Sequence, residues 1–160
     1  MASSIREQVA SAILAAISGS GALGAAGMPA GLNVHRERTR PIEKDDLPAV
    51  LIYFEDEEPE PLAKERFKAP LTERCLDVVA EIRCVPQSGQ SPDEAVDAIY
   101  VWLMQSLGAD ETFGRLAMGI IEGPVKWFSK EVDVVYAGAA VHLSVHYRTT
   151  RLDPTTKTGL

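Results

Sequence analysis

Two histidines four residues apart, His142 and His146, are the first candidates for chemistry in this chain of 160 residues. On a helix that spacing would aim both imidazoles at one metal ion. The flanking residues alternate apolar and polar, which is strand patterning, and four strand steps separate the two rings by roughly 13 Å. One tetrahedral metal does not bridge that gap. His35 stands alone. Cys75 and Cys84 lie in a second alternating stretch, so they face opposite sides of it, about 30 Å apart, and cannot pair there. Cys84 falls on the apolar side as a small core residue. Cys75 faces outward, where a thiol could react, but no histidine adjoins it in sequence to take its proton. Gly19, Gly21 and Gly24 spell the dinucleotide-binding fingerprint, yet that loop needs a strand before it and a helix after it. Here a helix precedes and a loop follows. No Gly-Lys-Ser/Thr is present. The residue types and spacings point to no catalytic set, no metal and no cofactor.

Carboxylates are the densest chemical feature. Glu55, Asp56, Glu57, Glu58 and Glu60 lie within six positions, and Glu43, Asp45 and Asp46 precede them, so eight of the 23 acids fall within 18 residues. Such a run reads as a solvated loop, as a metal site, or as an electrostatic surface that repels DNA or meets a basic partner. The spacing is not that of a calcium loop. Arg36, Arg38 and Arg40 form a short basic stretch, and Glu81 with Arg83 share the outward face of the Cys75 segment. That face is either ordinary solvent surface or one side of an ion-paired subunit contact.

The elements that position these groups follow from local patterns. Ser4 and Glu7 form a capping box, and Ile5, Val9, Ile13 and Ile17 recur every four residues with Ala12 and Ala16 beside them, which predicts a helix. Residues 19–31 are glycine- and alanine-rich and predict a flexible loop. A short exposed strand is expected over 33–39, then a buried strand over 49–54, with the two prolines and the charge of 55–61 marking a solvated loop. Residues 72–85 alternate: Leu76, Val78, Ala80, Ile82 and Cys84 on one side, Glu73, Cys75, Asp77, Val79, Glu81 and Arg83 on the other. At about 45 Å that strand is long beside the usual 17–20 Å. Ser91-Pro92-Asp93-Glu94 opens a second helix, whose stripe is Ala95, Ala98, Ile99, Trp102, Leu103 and Leu107 and whose stop is Gly108. A strand over 116–128 with a bulge at Gly123-Pro124 and a last strand over 135–149 complete the order α-β-β-β-α-β-β. This predicts one α+β domain over 1–152, a mixed, mostly antiparallel sheet of four to five strands packed with two helices, and a loose tail over 153–160.

Composition sets the outer limits. A formal charge of −7, from 23 acidic and 16 basic side chains, opposes a protein that grips nucleic acid by neutralising phosphates. Two cysteines are too few for a disulfide scaffold. No apolar run approaches the ~18–20 residues of a membrane span, and Arg6 and Glu7 interrupt the place where a signal peptide would carry its apolar region.

Several phrases together resemble the tail terminator proteins of long-tailed bacteriophages, a group that includes neck and tail-completion proteins. They are Ile5-Arg6-Glu7 opening an alanine-rich helix, Asp46-Leu47-Pro48-Ala49-Val50 leading into a strand with an acidic stretch after it, and Val141-His-Leu-Ser-Val-His-Tyr-Arg-Thr149 followed by Asp153-Pro154. The resemblance spans nearly the whole chain and contains no catalytic signature. It implies a structural virion protein that forms a homo-oligomeric ring, usually a hexamer. That ring would cap the last layer of tail-tube protein, stop its polymerisation, and present a surface to the head-completion or neck protein. DNA would pass through without specific binding, along a lumen that an acidic surface suits, and no membrane is involved. Glu55, Asp56, Glu57, Glu58, Glu60, Glu81, Arg83, Arg36 and Arg38 are the candidate partner or lumen surface. A head-closure or connector protein of the neck is the near alternative. A small α+β enzyme or ligand-binding domain using residues 55–60 with His142 and His146 is the alternative of a different class.

Overall fold

The two patterned helices and the alternating strands are all present. A computed structural model describes residues 3–18, 28–37, 41–60, 70–131 and 135–158. Helix α1 runs Ile5–Ser18, strand β1 Asn33–Arg36, β2 Ala49–Glu60, β3 Leu71–Cys84, helix α2 Pro92–Gly108, and strands β4 Gly119–Glu131, β5 Val135–Thr150 and β6 Asp153–Lys157. The strands form a single mixed sheet in the order β1-β2-β3-β5-β4. Only β1 and β2 run parallel. This is an α+β fold with both helices on one face of the sheet.

Alternation settles which face is which. Leu76, Val78, Ala80, Ile82 and Cys84 of β3 are buried, as are Ala139, Val141, Leu143, Val145 and Tyr147 of β5. These two rows lie side by side in register, Leu76 opposite Val145 and Ile82 opposite Ala139. Onto them α1 sets Ile5, Val9, Ala10, Ile13 and Ile17, and α2 sets Ala95, Val96, Ile99, Trp102, Leu103 and Leu107. Burying each large aliphatic side chain stabilises by roughly 1.5–3 kcal/mol. Val96 takes the place in the α2 stripe that the sequence pattern assigns to Ala98, which is exposed. The two lie on either side of the stripe's centre, and the larger side chain is the one turned inward.

The caps form with one change of partner. Ser91 Oγ accepts from the Glu94 N–H at 3.2 Å and Glu94 Oε2 accepts from the Ser91 N–H at 3.0 Å, completing the α2 box. At α1, Ser4 Oγ accepts from the Glu7 N–H at 3.2 Å. The Glu7 carboxylate instead takes the Arg36 guanidinium in two hydrogen bonds of 2.6 and 2.9 Å, tying α1 to the β1 edge.

Two segments expected to lack structure are strands. Residues 55–60 continue β2, after a register shift between Phe54 and Glu57, because β3 offers backbone partners from Leu76 to Glu73. Pro59 is tolerated there since β1 covers only Ala49–Ile52, so the missing N–H falls where β2 has no second neighbour among the described residues. The expected tail forms β6 on the side of β5 that β4 leaves open, pairing Asp153 with Thr150 and Lys157 with Thr149. Asp153 organises it. Its carboxylate accepts from the Thr155 N–H and from the Thr155 and Thr156 hydroxyls at 2.6–2.9 Å, and the Thr155 hydroxyl bond leads the causes that hold its carboxyl down to about 2. β6 also touches α1, so the first and last elements meet. Most of the expected 19–31 loop lies outside the described residues, as does Arg38.

β4 bends at Gly123-Pro124 as the dipeptide predicts, with the register shifting between Glu122 and Val125. A Cβ at Gly123 would sit 2.9 Å from the His142 carbonyl oxygen. Gly138 is tighter: a Cβ there would run into the Ile82 carbonyl and the Phe128 ring, which lies over the glycine. Gly138→Ala is therefore expected to destabilise the protein by about 1–3 kcal/mol, read as a lower urea midpoint with an unchanged m-value.

Candidate functional site

With both helices on one side, the odd-numbered residues of β3 and the even-numbered residues of β5 form an outer face that neither helix covers. The register sets Glu73 opposite Arg148, Cys75 opposite His146, Asp77 opposite Ser144, and Val79 opposite His142. Polar groups meet across the two strands in sequence. Arg148 Nε and Nη2 donate to Glu73 Oε2 at 3.2 and 3.1 Å. His146 Nδ1 lies 3.8 Å from Glu73 Oε1, and its Nε2 lies 3.7 Å from Cys75 Sγ. Cys75 Sγ is also 3.9 Å from Asp77 Oδ1, which accepts from Ser144 Oγ at 2.8 Å.

Further along the same face Arg83 binds Glu81 at 2.6–2.7 Å, so these two candidates pair with each other within the chain. His142 and His146 sit on the same face, two outer positions apart along β5. Among the described residues no three His, Cys, Asp or Glu side chains are placed to hold a metal ion. Sequence reasoning missed the Cys75–His146 pair because its members are 71 positions apart. The signal that could have found it was the pairing of the two most strongly alternating strands.

The acidic run divides in two. Glu55, Asp56 and Glu58 are exposed or nearly so along β2. Glu57 faces the helix side: Arg74 Nη1 donates to its Oε1 at 2.6 Å, the Tyr147 hydroxyl to its Oε2 at 2.7 Å, and Arg6 of α1 lies 3.8 Å away. Arg74 Nε also donates to Thr149 Oγ1 at 3.2 Å. Burial first, then the bond to Glu57, pushes the Tyr147 phenol well above its ordinary range. Glu57 is thus a structural anchor inside a run of surface acids. Glu60 ends β2 opposite Glu73.

Arg36 is likewise committed, to Glu7 and to the face of Phe54, whose ring centroid is 5.0 Å from its guanidinium carbon.

The remaining surface is apolar in places. On β4, Ile121 and Trp127 are 58% and 47% exposed, and Val101 of α2 is 42% exposed. Trp127 meets Tyr100 of α2 edge to face at 5.7 Å. Between α2 and β4 a cavity of about 50 Å³ is lined by Met104, Leu107, Ile120 and Leu143, with Glu111 and Glu122 among its walls. It is well below the ~300–1,000 Å³ of small-molecule sites. No helix among the described residues is long and apolar enough to cross a membrane. The chain matches no protein-family model and no curated protein.

Two expectations separate anchoring charges from surface ones. Glu57→Gln removes the charge that Arg74 and Arg6 face and leaves one acceptor oxygen where Arg74 and Tyr147 now use two, and is expected to cost about 1.5–3 kcal/mol, whereas Glu55→Gln stays within roughly 0.5 kcal/mol; urea unfolding of both variants distinguishes the two roles. Glu7 gives a pH signature. The Arg36 hydrogen bond holds its carboxyl below the ordinary 4.5. Its contribution is therefore complete above about that pH and is lost as pH falls through the lower folded-state value. The urea midpoint of the wild type should fall more steeply below pH 4.5 than that of Glu7→Gln.

Proposed function

We propose that this protein is a structural component of the virion, a ring-forming tail terminator that caps the tail tube, stops its polymerisation and joins the tail to the head or neck. The observation that carries the reading is the run of phrases along the chain. Ile5-Arg6-Glu7 begins α1, Asp46-Leu47-Pro48-Ala49-Val50 enters β2 ahead of its acidic stretch, and Val141–Thr149 closes β5 with Asp153-Pro154 after it. These are the phrases that resemble the tail terminator group, and they occur in its order.

The surface chemistry suits the role. A closed ring made from identical subunits needs two different surfaces on each, one to meet the other. The chain offers an outer sheet face uncovered by helices and an edge strand, β4, carrying exposed Ile121 and Trp127. Glu55, Asp56 and Glu58 place carboxylates along one stretch of β2, where they repel phosphates and let DNA slide without sticking. The internal pairing of Glu81 with Arg83 leaves little net charge at that end of the outer face.

Light scattering and negative-stain electron microscopy of the purified protein, alone and with tail-tube protein, test this reading. The expected result is a ring, and tubes whose length the protein limits. A strict monomer that leaves tube length unchanged would sink it. For the acids, Glu55, Asp56 and Glu58 replaced together by lysine, with Glu57 kept, should preserve the fold and lower the yield of infectious particles. An unchanged titre retires the DNA-facing role of this stretch.

A further inference from the structure

We infer that Leu152 of one copy of this chain docks into the cavity between α2 and β4 of the next copy, so that subunits join head to tail. The inference rests on the ring reading above and names the two unlike surfaces that such a ring needs.

Leu152 gains nothing from its own fold. It sits in the two-residue turn between β5 and β6, where Thr150 pairs with Asp153, and it is 88% exposed. Its φ is +60°. Glycine and asparagine adopt that left-handed conformation readily in turns, whereas leucine adopts it only with steric strain. The turn thus holds a strained side chain out in water. Burial against a partner offsets both penalties.

The cavity is the complement. Leu107 and Leu143 form its floor and are nearly fully buried, with Met104 and Ile120 beside them. Glu111 and Glu122, both exposed, place carboxylates at its mouth. Its volume of about 50 Å³ takes the branched end of one aliphatic side chain. An apolar cavity that takes a benzene ring measures about 150 Å³, so Trp127 is too large to enter.

Charge points to the same residue. Among the described residues that expose a large apolar side chain, only Leu152 and Trp127 follow a cation, Arg151 and Lys126. Lys126 lies opposite Ala140 and Trp127 opposite Ala139, so the strand turns them to opposite faces. Arg151 shares the turn with Leu152. It has a partner within its own chain as well, so Leu152 carries the docking and the guanidinium, with five N–H donors, adds attraction toward Glu111 and Glu122.

One chain cannot fill its own cavity in this way. From Leu143 to the end of β5 at Thr150 the strand runs roughly 23 Å, well beyond the reach of a leucine side chain. Knob and hole therefore belong to different parts of the surface. Their contact is heterologous, and it closes into a ring when the rotation between neighbours allows.

The test uses the full chain. Light scattering gives the assembly state of the wild type, of Leu152→Asn and Gly108→Phe separately, and of the two variants mixed. Leu152→Asn keeps the left-handed turn and removes the knob. Gly108 lines the cavity, and a Cβ there meets nothing within 4 Å, so Gly108→Phe covers the hole without a backbone clash. The wild type is expected to form rings. Each variant alone should associate at least about tenfold more weakly, with the circular dichroism and urea midpoint of Leu152→Asn no lower than those of the wild type. Mixed, the two variants should form dimers of one copy each and nothing larger, since each retains one intact surface. Rings formed by both variants as readily as by the wild type overturn this inference and leave the ring reading standing. A monomeric wild type overturns the ring reading, and this contact with it. Should Gly108→Phe fail to fold, Leu152→Asn decides alone: undiminished ring formation overturns the docking.

Discussion

The register between β3 and β5 is the constraint on which the rest of this structure depends. Fourteen residues of β3, Leu71 to Cys84, lie opposite β5 from Thr150 back to Ala137 without a bulge. The large apolar residues of both strands fall on every second position, so a slip of one residue would carry Leu76, Ile82, Val141 and Tyr147 out of the core and bring Glu73, Asp77 and His146 into it. The apolar rows resist that exchange strongly. They thereby also fix every contact on the far side: the Glu73–Arg148 pair, the Asp77–Ser144 hydrogen bond, and the approach of His146 to Cys75 follow from the same alignment that buries the core.

A second constraint closes the structure where the apolar rows run out. Beyond Leu76 the helix-facing side of β3 carries Arg74, beside Tyr147 and Thr149 of β5, and β2 supplies Glu57 between them. Thr149 is fully buried, so its hydroxyl needs a partner at that depth and finds one in Arg74. Arg6 of α1 reaches the same carboxylate. Polar side chains here continue the contact between helix and sheet that Val78, Ile82 and Val141 make in the middle.

Much of this was legible in the sequence for reasons that are local. The faces of β3 and β5 followed from their period of two, the α2 cap from Ser91, Pro92 and Glu94, and the β4 bulge from Gly123-Pro124. The misread segments were those whose conformation is decided by a neighbour. Residues 55–60 look like a loop because acids and prolines disfavour an isolated strand, and β3 overrides that preference by offering a ladder. Residues 153–157 look loose until Asp153 folds Thr155 and Thr156 onto itself beside Thr149 and Thr150. The double role of the acidic run was hidden for the same reason: only the bulge after Phe54 determines that Glu57, rather than Glu58, turns inward. Cys75 and His146 each read as isolated because strand pairing carries no mark in the letters on either side of them.

The meeting of β6 with α1 has a geometric consequence. Chain entering the domain at Ser4 and chain leaving it after Lys157 do so from neighbouring elements, so both ends emerge on one flank. Anything joined to either end, a tag or a further domain, crowds that flank and leaves the opposite one clear. The order of elements could be rewired by joining the two ends and opening the chain elsewhere.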